Sequence, residues 1–354
     1  MALVWSWGWE IDAAKEKYQD AGWSWTLGDP AGSSTNYADS AQPLIGYGGG
    51  SRCLRLGYNG QNILSSSADI VSVDNGWLVG YWKAGSGATS TQPIETSILS
   101  LVSGTTEIIG CSVDGNKFQL RISGSEDSET SLAWSVDRWY RLGIKFDTRG
   151  STWGAELYVN SVPLLSGTVA AAGSIIGNQI IWEGTAFSFG GDRTHYFDHT
   201  FVFDSISDSG NDALYIQGLR PDADVLDGDW RRSDNDSQTN LYEVLTGSID
   251  DPAPINYAKL TGSATSNLIV GMQNTSVVDA GYLPTSVKSL HQIAFHRGDG
   301  SYISATGSIN AISGTPVVID SEGDFSTVFA TASSGVTPWN VASINAASSS
   351  MKSN

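Results

Sequence analysis

The stretch WYRLGIKFDTRGSTWGAELYVNSV, from Trp139 to Val162, alternates apolar and polar residues on both sides of a polar break. Arg141, Gly143 and Lys145 interleave with Leu142, Ile144 and Phe146, and Glu156, Tyr158 and Asn160 interleave with Leu157 and Val159. Successive side chains of a strand point to opposite faces, so a period of two gives each segment a core face and a solvent face. Similar short runs recur as SRCLRLG, WLVGYW, SILSLVSG, EIIGCSVDGN, KFQLRIS, IGNQIIWEG, TAFSFGG and HYFDHTFVFD. Asp114-Gly115-Asn116 reads as a hairpin turn, because Asp-Gly supplies the positive φ that a type I′ turn requires. Many short strands with frequent turns predict a large antiparallel sandwich or jelly roll over residues 1–206. The best helix candidate is EIDAAKEKYQD at 10–20, with Gly22 as its stop.

Composition agrees with an all-β chain. Charged residues make up 16% of it, against about 25% in an ordinary soluble domain. Gly (40 residues), Trp (13) and Tyr (13) are abundant, and no long Ala/Leu/Glu/Lys run suggests a long helix. The 354 residues suffice for two domains. The polar segment SDSGNDA at 207–213 reads as the linker. A second, smaller β-sandwich is expected over 214–346, with strands in LYIQGLRP, LYEVL, INYAKL, NLIVGMQ, SLHQIAFHRG and TPVVID. Residues 347–354 read as a polar, frayed tail.

A formal net charge of −18 argues against nucleic-acid binding, which needs clustered Lys and Arg to neutralise phosphate. No apolar run is long enough for a membrane span. The start, MALVWSWGWE, has neither a basic region nor an apolar core of signal-peptide type, so synthesis in a cytosol without export is expected. Cys53 and Cys111 lack metal-type spacing and read as two buried thiols, with a disulfide left open.

Chemistry narrows the candidate sites. Sugar cleavage by acid/base catalysis needs two carboxyl groups about 5–9.5 Å apart. No Glu-x-Asp-x-x-Glu arrangement occurs, and Glu156 and Glu183 stand isolated among apolar residues, so no enzyme is expected. The break DTRGSTW has the residue types of a sialidase Asp-box, but Asp147 and Gly150 are spaced one position too far; a polar hairpin turn is the expectation. His195 and His199 flank Asp198, yet on a strand their side chains stand about 13 Å apart, so neither these nor His291 and His296 make a metal site. Asp222, Asp224, Asp227 and Asp229 form the densest acidic cluster. It is one residue too long for an EF-hand loop and lacks the closing Glu, which leaves it a weak calcium candidate beside a solvated loop. Trp5, Trp7 and Trp9 share one face of a strand, either as a sugar-stacking platform or packed into a core or interface. Trp153 joins them as a candidate glycan or interface contact.

Two resemblances add to this reading. Trp139–Tyr140, Asp147, Gly154 with Tyr158–Val159–Asn160, and Asp198 with Phe201–Val202–Phe203–Asp204 make residues 1–206 resemble the concanavalin A-like lectin/glucanase superfamily in its laminin-G-like form. Ser161 departs from the glycine usual there. Leu219, Pro221 and Trp230, then Tyr242–Glu243, Asp250–Asp251 and Tyr257, then Pro338–Trp339 and Ile344–Asn345, resemble a module of tailed-bacteriophage structural proteins. These resemblances imply a non-enzymatic virion protein: a tail fibre, a tail-tip component or a capsid decoration. They imply other phage structural proteins as partners and a homo-oligomer, trimers foremost. The alternative they leave open is recognition of a host surface glycan by the lectin-like domain.

Overall fold

A computed structural model describes residues 3–7, 23–25, 53–56, 64–85, 96–115, 117–123, 125–184 and 195–207, and shorter segments of 221–353. The chain divides into two compact units, Met1–Ile216 and Gln217–Asn354. The helix candidate at 10–20 and the run TAFSFGG lie outside the described residues.

The strands of the first unit are β1 (Leu3–Trp7), β2 (Trp23–Trp25), β3 (Leu54–Leu56), β4 (Leu64–Val73), β5 (Asn75–Ala84), β6 (Thr96–Ser103) and β7 (Thr106–Asp114). They continue as β8 (Lys117–Ile122), β9 (Ser125–Ala133), β10 (Trp139–Asp147), β11 (Thr152–Val159), β12 (Val162–Ala170), β13 (Gly177–Gly184) and β14 (His195–Phe203). One seven-stranded sheet runs β1-β14-β5-β10-β11-β12, with β3 also on β14; the other runs β2-β4-β13-β6-β7-β8-β9. Every described pairing is antiparallel, as in β10 with β11 and β6 with β7. The predicted all-β antiparallel sandwich is what the chain forms.

The core lies between the two sheets. Trp182 of the second sheet meets Phe197 of the first, with ring centroids 4.6 Å apart, and Trp82 meets Phe118 edge-on at 5.8 Å. Gly80 is required at the closest approach: a Cβ there would fall inside the Trp182 indole. Leu142, Ile144, Phe146, Leu157 and Val159 are all buried, so the alternation of the 139–162 stretch finds its core face correctly.

The opposite face differs from expectation. Arg141, placed by the alternation on a solvent face, is 2% exposed. Strand β5 is buried on both faces, because Trp77, Val79 and Tyr81 form an outward cluster with Phe201 and Phe203. Its sequence, NGWLVGYWKA, already shows this as an apolar run without clean alternation.

The hairpin break is a structural knot. Thr148 is buried, and its hydroxyl lies 2.8 Å from the Asp74 carbonyl and 2.7 Å from that of Ile175. Gly150 takes φ +89° and donates its N–H to Ser174 Oγ at 2.7 Å. Asp147 accepts from the backbone and guanidinium of Arg149, which holds its carboxyl below the usual range.

In the second unit, β15 (Pro221–Leu226), β18 (Ser266–Met272), β24 (Ser348–Ser353), β20 (Ile303–Ile309) and β21 (Ile312–Ser313) form one sheet in that order, with β22 (Val317–Ile319) on β20. Strands β16 (Trp230–Arg232) and β17 (Ala258–Leu260) pair, as do β19 (Val287–Ile293) and β23 (Gly323–Phe329). The segment read as a frayed tail is thus a correction: β24 pairs with β18 on one side and β20 on the other. Its small polar side chains hid it, since the ladder is made by backbone groups that serine carries as well as valine. A small core of Trp230, Leu241, Leu268 and Val270 belongs to this unit.

Candidate functional site

The outward face of the first sheet gathers most of the unit's chemistry. Register fixes who shares that face, because paired residues of an antiparallel ladder point the same way. Lys83 stands opposite Trp139 on β10 and Tyr196 on β14. Tyr81 stands between Arg141 and Asp198, and Val79 between Gly143 and Phe201. Trp77 stands between Lys145 and Phe203. Beyond β10, Tyr158 faces Gly143 and Glu156 faces Lys145.

Each row has its own physics. The Lys83 ammonium lies 4.7 Å from the Tyr196 ring centre and 5.1 Å from that of Trp139. Cation–π attraction of this kind is worth about 0.5–2 kcal/mol, more where water is excluded; Lys83 is 8% exposed. Trp139 and Tyr196 remain half-exposed. Lys145 lies over Trp77 at 5.9 Å, Trp77 packs on Tyr158 at 4.9 Å, and the Tyr158 hydroxyl donates to Glu156 at 2.7 Å. Lys145, Glu156 and Tyr158 are half-exposed too. On a chain of net charge −18, Lys83, Arg141 and Lys145 share this aromatic face with Asp198 and Glu156, and Lys83 and Arg141 are buried.

At the centre of β14 the ladder slips between Asp198 and Phe201. His199 there has φ +30°, a backbone state costing a non-glycine residue about 1–3 kcal/mol. Its N–H donates to Asp198 Oδ1 at 2.8 Å, and Nδ1 lies 3.1 Å from the same oxygen. The extra residue of the bulge turns Thr200 to the core, where its hydroxyl accepts the Trp182 indole N–H at 2.9 Å. His199 packs edge-on against Tyr81, while His195 faces the core and accepts the Trp82 indole N–H at 3.0 Å. The bulge therefore separates two histidines that a plain strand would place on one face. Periodicity could not show it, because HYFDHTFVF contains no glycine to mark an irregularity.

Other residues singled out from sequence fare differently. Trp153 is 7% exposed, and its indole N–H donates to the Gly173 carbonyl at 2.8 Å. It is a packed core residue, whereas the sequence offered it as a candidate glycan or interface contact. Trp5 is half-buried and stands opposite Val202, itself fully buried, so its side of β1 is the core side. The Trp7 side chain and Trp9 lie outside the described residues. Asp222 is exposed on β15, while Asp224 accepts the Leu241 backbone N–H at 3.0 Å. Asp227 and Asp229 lie outside the described residues, as does His296. Among the described residues no group of three or more His, Cys, Asp and Glu is placed to hold a metal ion. Neither Cys53 nor Cys111 is in a disulfide; both are buried, and burial pushes the Cys111 thiol far up.

The outward side of the second sheet holds a carboxylate pair that the sequence did not reveal. Glu107 accepts from Arg121 Nε at 2.9 Å, Ser100 at 2.9 Å and Ser97 at 3.1 Å. Glu183, read as isolated, feels this group: burial, then the Glu107 charge, raises its carboxyl above the usual range, with Arg121 opposing. Unlike environments for two carboxyls are the mark of acid/base pairs. Here Glu107 is already engaged by its donors, as expected of a structural network.

No protein-family model and no curated protein matches the chain. Solved structures similar to it include Trypanosoma rangeli sialidase in complex with the inhibitor DANA, at 15% identity and TM-score 0.32, covering 45% of this chain and 26% of that one. The botulinum neurotoxin type G receptor binding domain is similar at 12% identity and TM-score 0.35, covering 64% of each chain. The botulinum neurotoxin serotype D binding domain is similar at 11% identity and TM-score 0.39, covering 71% of this chain and 67% of that one. The chain thus spans about a quarter of the sialidase and about two-thirds of the toxin domains. Likeness at this level leaves function to be read from the chain's own side chains.

Proposed function

We propose that the first unit is a non-enzymatic carbohydrate-binding β-sandwich, with its site on the outward face of the first sheet. The observation that carries this reading is the half-exposed Trp139 and Tyr196 flanking Lys83 on neighbouring strands. Pyranose rings present apolar C–H faces and a rim of hydroxyls. Planar aromatic rings cover the former with little loss of side-chain freedom, and fixed charges hydrogen-bond the latter. Lys145, Glu156 and Tyr158, also half-exposed, extend the same surface with donors and acceptors. A glycan array probed with the whole chain tests the reading. Binding to a defined set of glycans, lost in Trp139→Ala and Tyr196→Ala with the fold intact, supports it. No binding by the folded protein, or binding indifferent to both changes, defeats it.

We infer the wider setting from motif order across residues 219–345, which resembles tailed-phage structural modules. In that setting the chain sits on a virion surface, on the tail or the head, and offers its lectin-like unit to a host glycan. Mass spectrometry of purified particles decides this separately, and absence of the chain from them ends it.

A further inference from the structure

The two sheets of the first unit end very differently. The second sheet ends at β9, whose sequence SEDSETSLA includes Glu126, Asp127 and Glu129. The first sheet ends at β12, VPLLSGTVA, which carries no charged residue at all. A sheet edge presents a row of unpaired N–H and C=O groups, and proteins normally blunt such edges with charge, proline or a cover. Pro163 blunts only the beginning of β12. Leu164 falls at a register shift, and from Leu165 to Ala170 the strand pairs with β11 alone among the described residues.

This segment is also chemically palindromic. In LLSGTVA, Leu165 and Val169 lie symmetrically about Gly167, as do Ser166 with Thr168 and Leu164 with Ala170. Register puts Leu165, Gly167 and Val169 opposite Leu157, Ala155 and Trp153, on the core side, and Ser166 and Thr168 opposite Glu156 and Gly154, on the outward side. Leu165 and Val169 are only half-buried, while Ser166 and Thr168 are exposed. We propose that β12 pairs antiparallel with β12 of a second copy, about a two-fold axis through Gly167, continuing the first sheet across a homodimer.

A two-fold interface demands that residue i meet j while j meets i, and the palindrome satisfies that demand. Leu165 of one copy covers Val169 of the other on the core side, and Ser166 meets Thr168 on the outward side. Two chains of net charge −18 repel one another over most of their surface. A charge-free strand is where they can approach. The second copy is favoured over a foreign peptide because the complementarity is of the strand with itself. A dyad gives pairs, which differs from the trimer implied by family analogy.

Sedimentation velocity of the full chain, at about 0.5 M salt to screen the net charge, should show a dimer. Ser166→Lys/Thr168→Lys places like charges opposite one another at exposed positions, and should raise the dimer dissociation constant at least about tenfold with the melting of the monomer unchanged. Gly167→Cys provides the second readout: strands paired at that residue bring the two Cα atoms within disulfide range, so mild oxidation should yield a covalent dimer. The same change at exposed Thr105 should yield none, and the native thiols are buried. A monomer at all concentrations, a trimer, a dimer unmoved by the lysine pair, or no cross-link at Gly167→Cys overturns the proposal.

Discussion

Gly80 and Trp182 show how tightly one residue can set the distance between two sheets. The indole occupies the space a Cβ would need, so Gly80→Ala must push the sheets apart or force Trp182 from its rotamer. Overpacking of this kind costs about 1–3 kcal/mol, and urea unfolding should report a lower midpoint. Glu183 acts in the opposite sense. Its carboxyl is raised by burial and by Glu107, so between the ordinary and the raised value the folded state holds a proton that the unfolded state releases. Its contribution is most favourable below the ordinary carboxylate value of 4.5 and declines as pH rises through the raised folded value. Glu183→Gln should flatten that decline and leave the protein more stable at neutral pH, measured by thermal melting across a pH series. From sequence, Glu183 was merely isolated; its partner Glu107 comes from a strand elsewhere in the chain, and such distances are invisible to spacing rules. Arg141 was misplaced for a related reason. Alternation finds the face of a residue, but whether that face is wet depends on what packs over it.

At the scale of elements, the hairpin of β10 and β11 was legible because its two strands alternate cleanly and its break is rich in turn residues. What the break does was not legible. Thr148 ties the turn to the Asp74 and Ile175 carbonyls; removing its hydroxyl leaves Asp74 with the Thr148 backbone N–H but takes the hydroxyl donor from Ile175. Thr148→Val should cost about 1–3 kcal/mol, read by chemical denaturation. Several strands escaped prediction, and among them β4, β9 and β24 are built largely from Ser, Ala or acidic residues, whose strand preference is weak. Their place is set by the ladders they complete. Strand β24 makes the point testable: it lies between β18 and β20, so deleting residues 347–354 splits that sheet. Calorimetry should then show the second unit's transition lowered or lost. A tail that merely frayed would leave it untouched.

For the whole molecule, composition excluded more than it chose. A net charge of −18 argues against nucleic-acid binding, and the aromatic, small-residue composition foretold an all-β chain. The candidate site was only partly readable. The Trp rows drew attention by their number, yet Trp153 is packed inside and Trp5 lies on the core side. The rings of the outward face that keep part of their surface in solvent, Trp139, Tyr158 and Tyr196, sit in unremarkable strands and meet only through register. The charged groups of that face, Lys83, Arg141 and Lys145 with Asp198 and Glu156, are likewise brought together only by folding. Sugar binding there is tested most directly by hydrogen–deuterium exchange on the whole chain with and without the tightest oligosaccharide from the array. Slower exchange is expected in Val79–Lys83, Trp139–Lys145 and Tyr196–Phe201. Protection confined to other strands, with these three segments unchanged at saturating sugar, would place the site elsewhere and contradict the central claim.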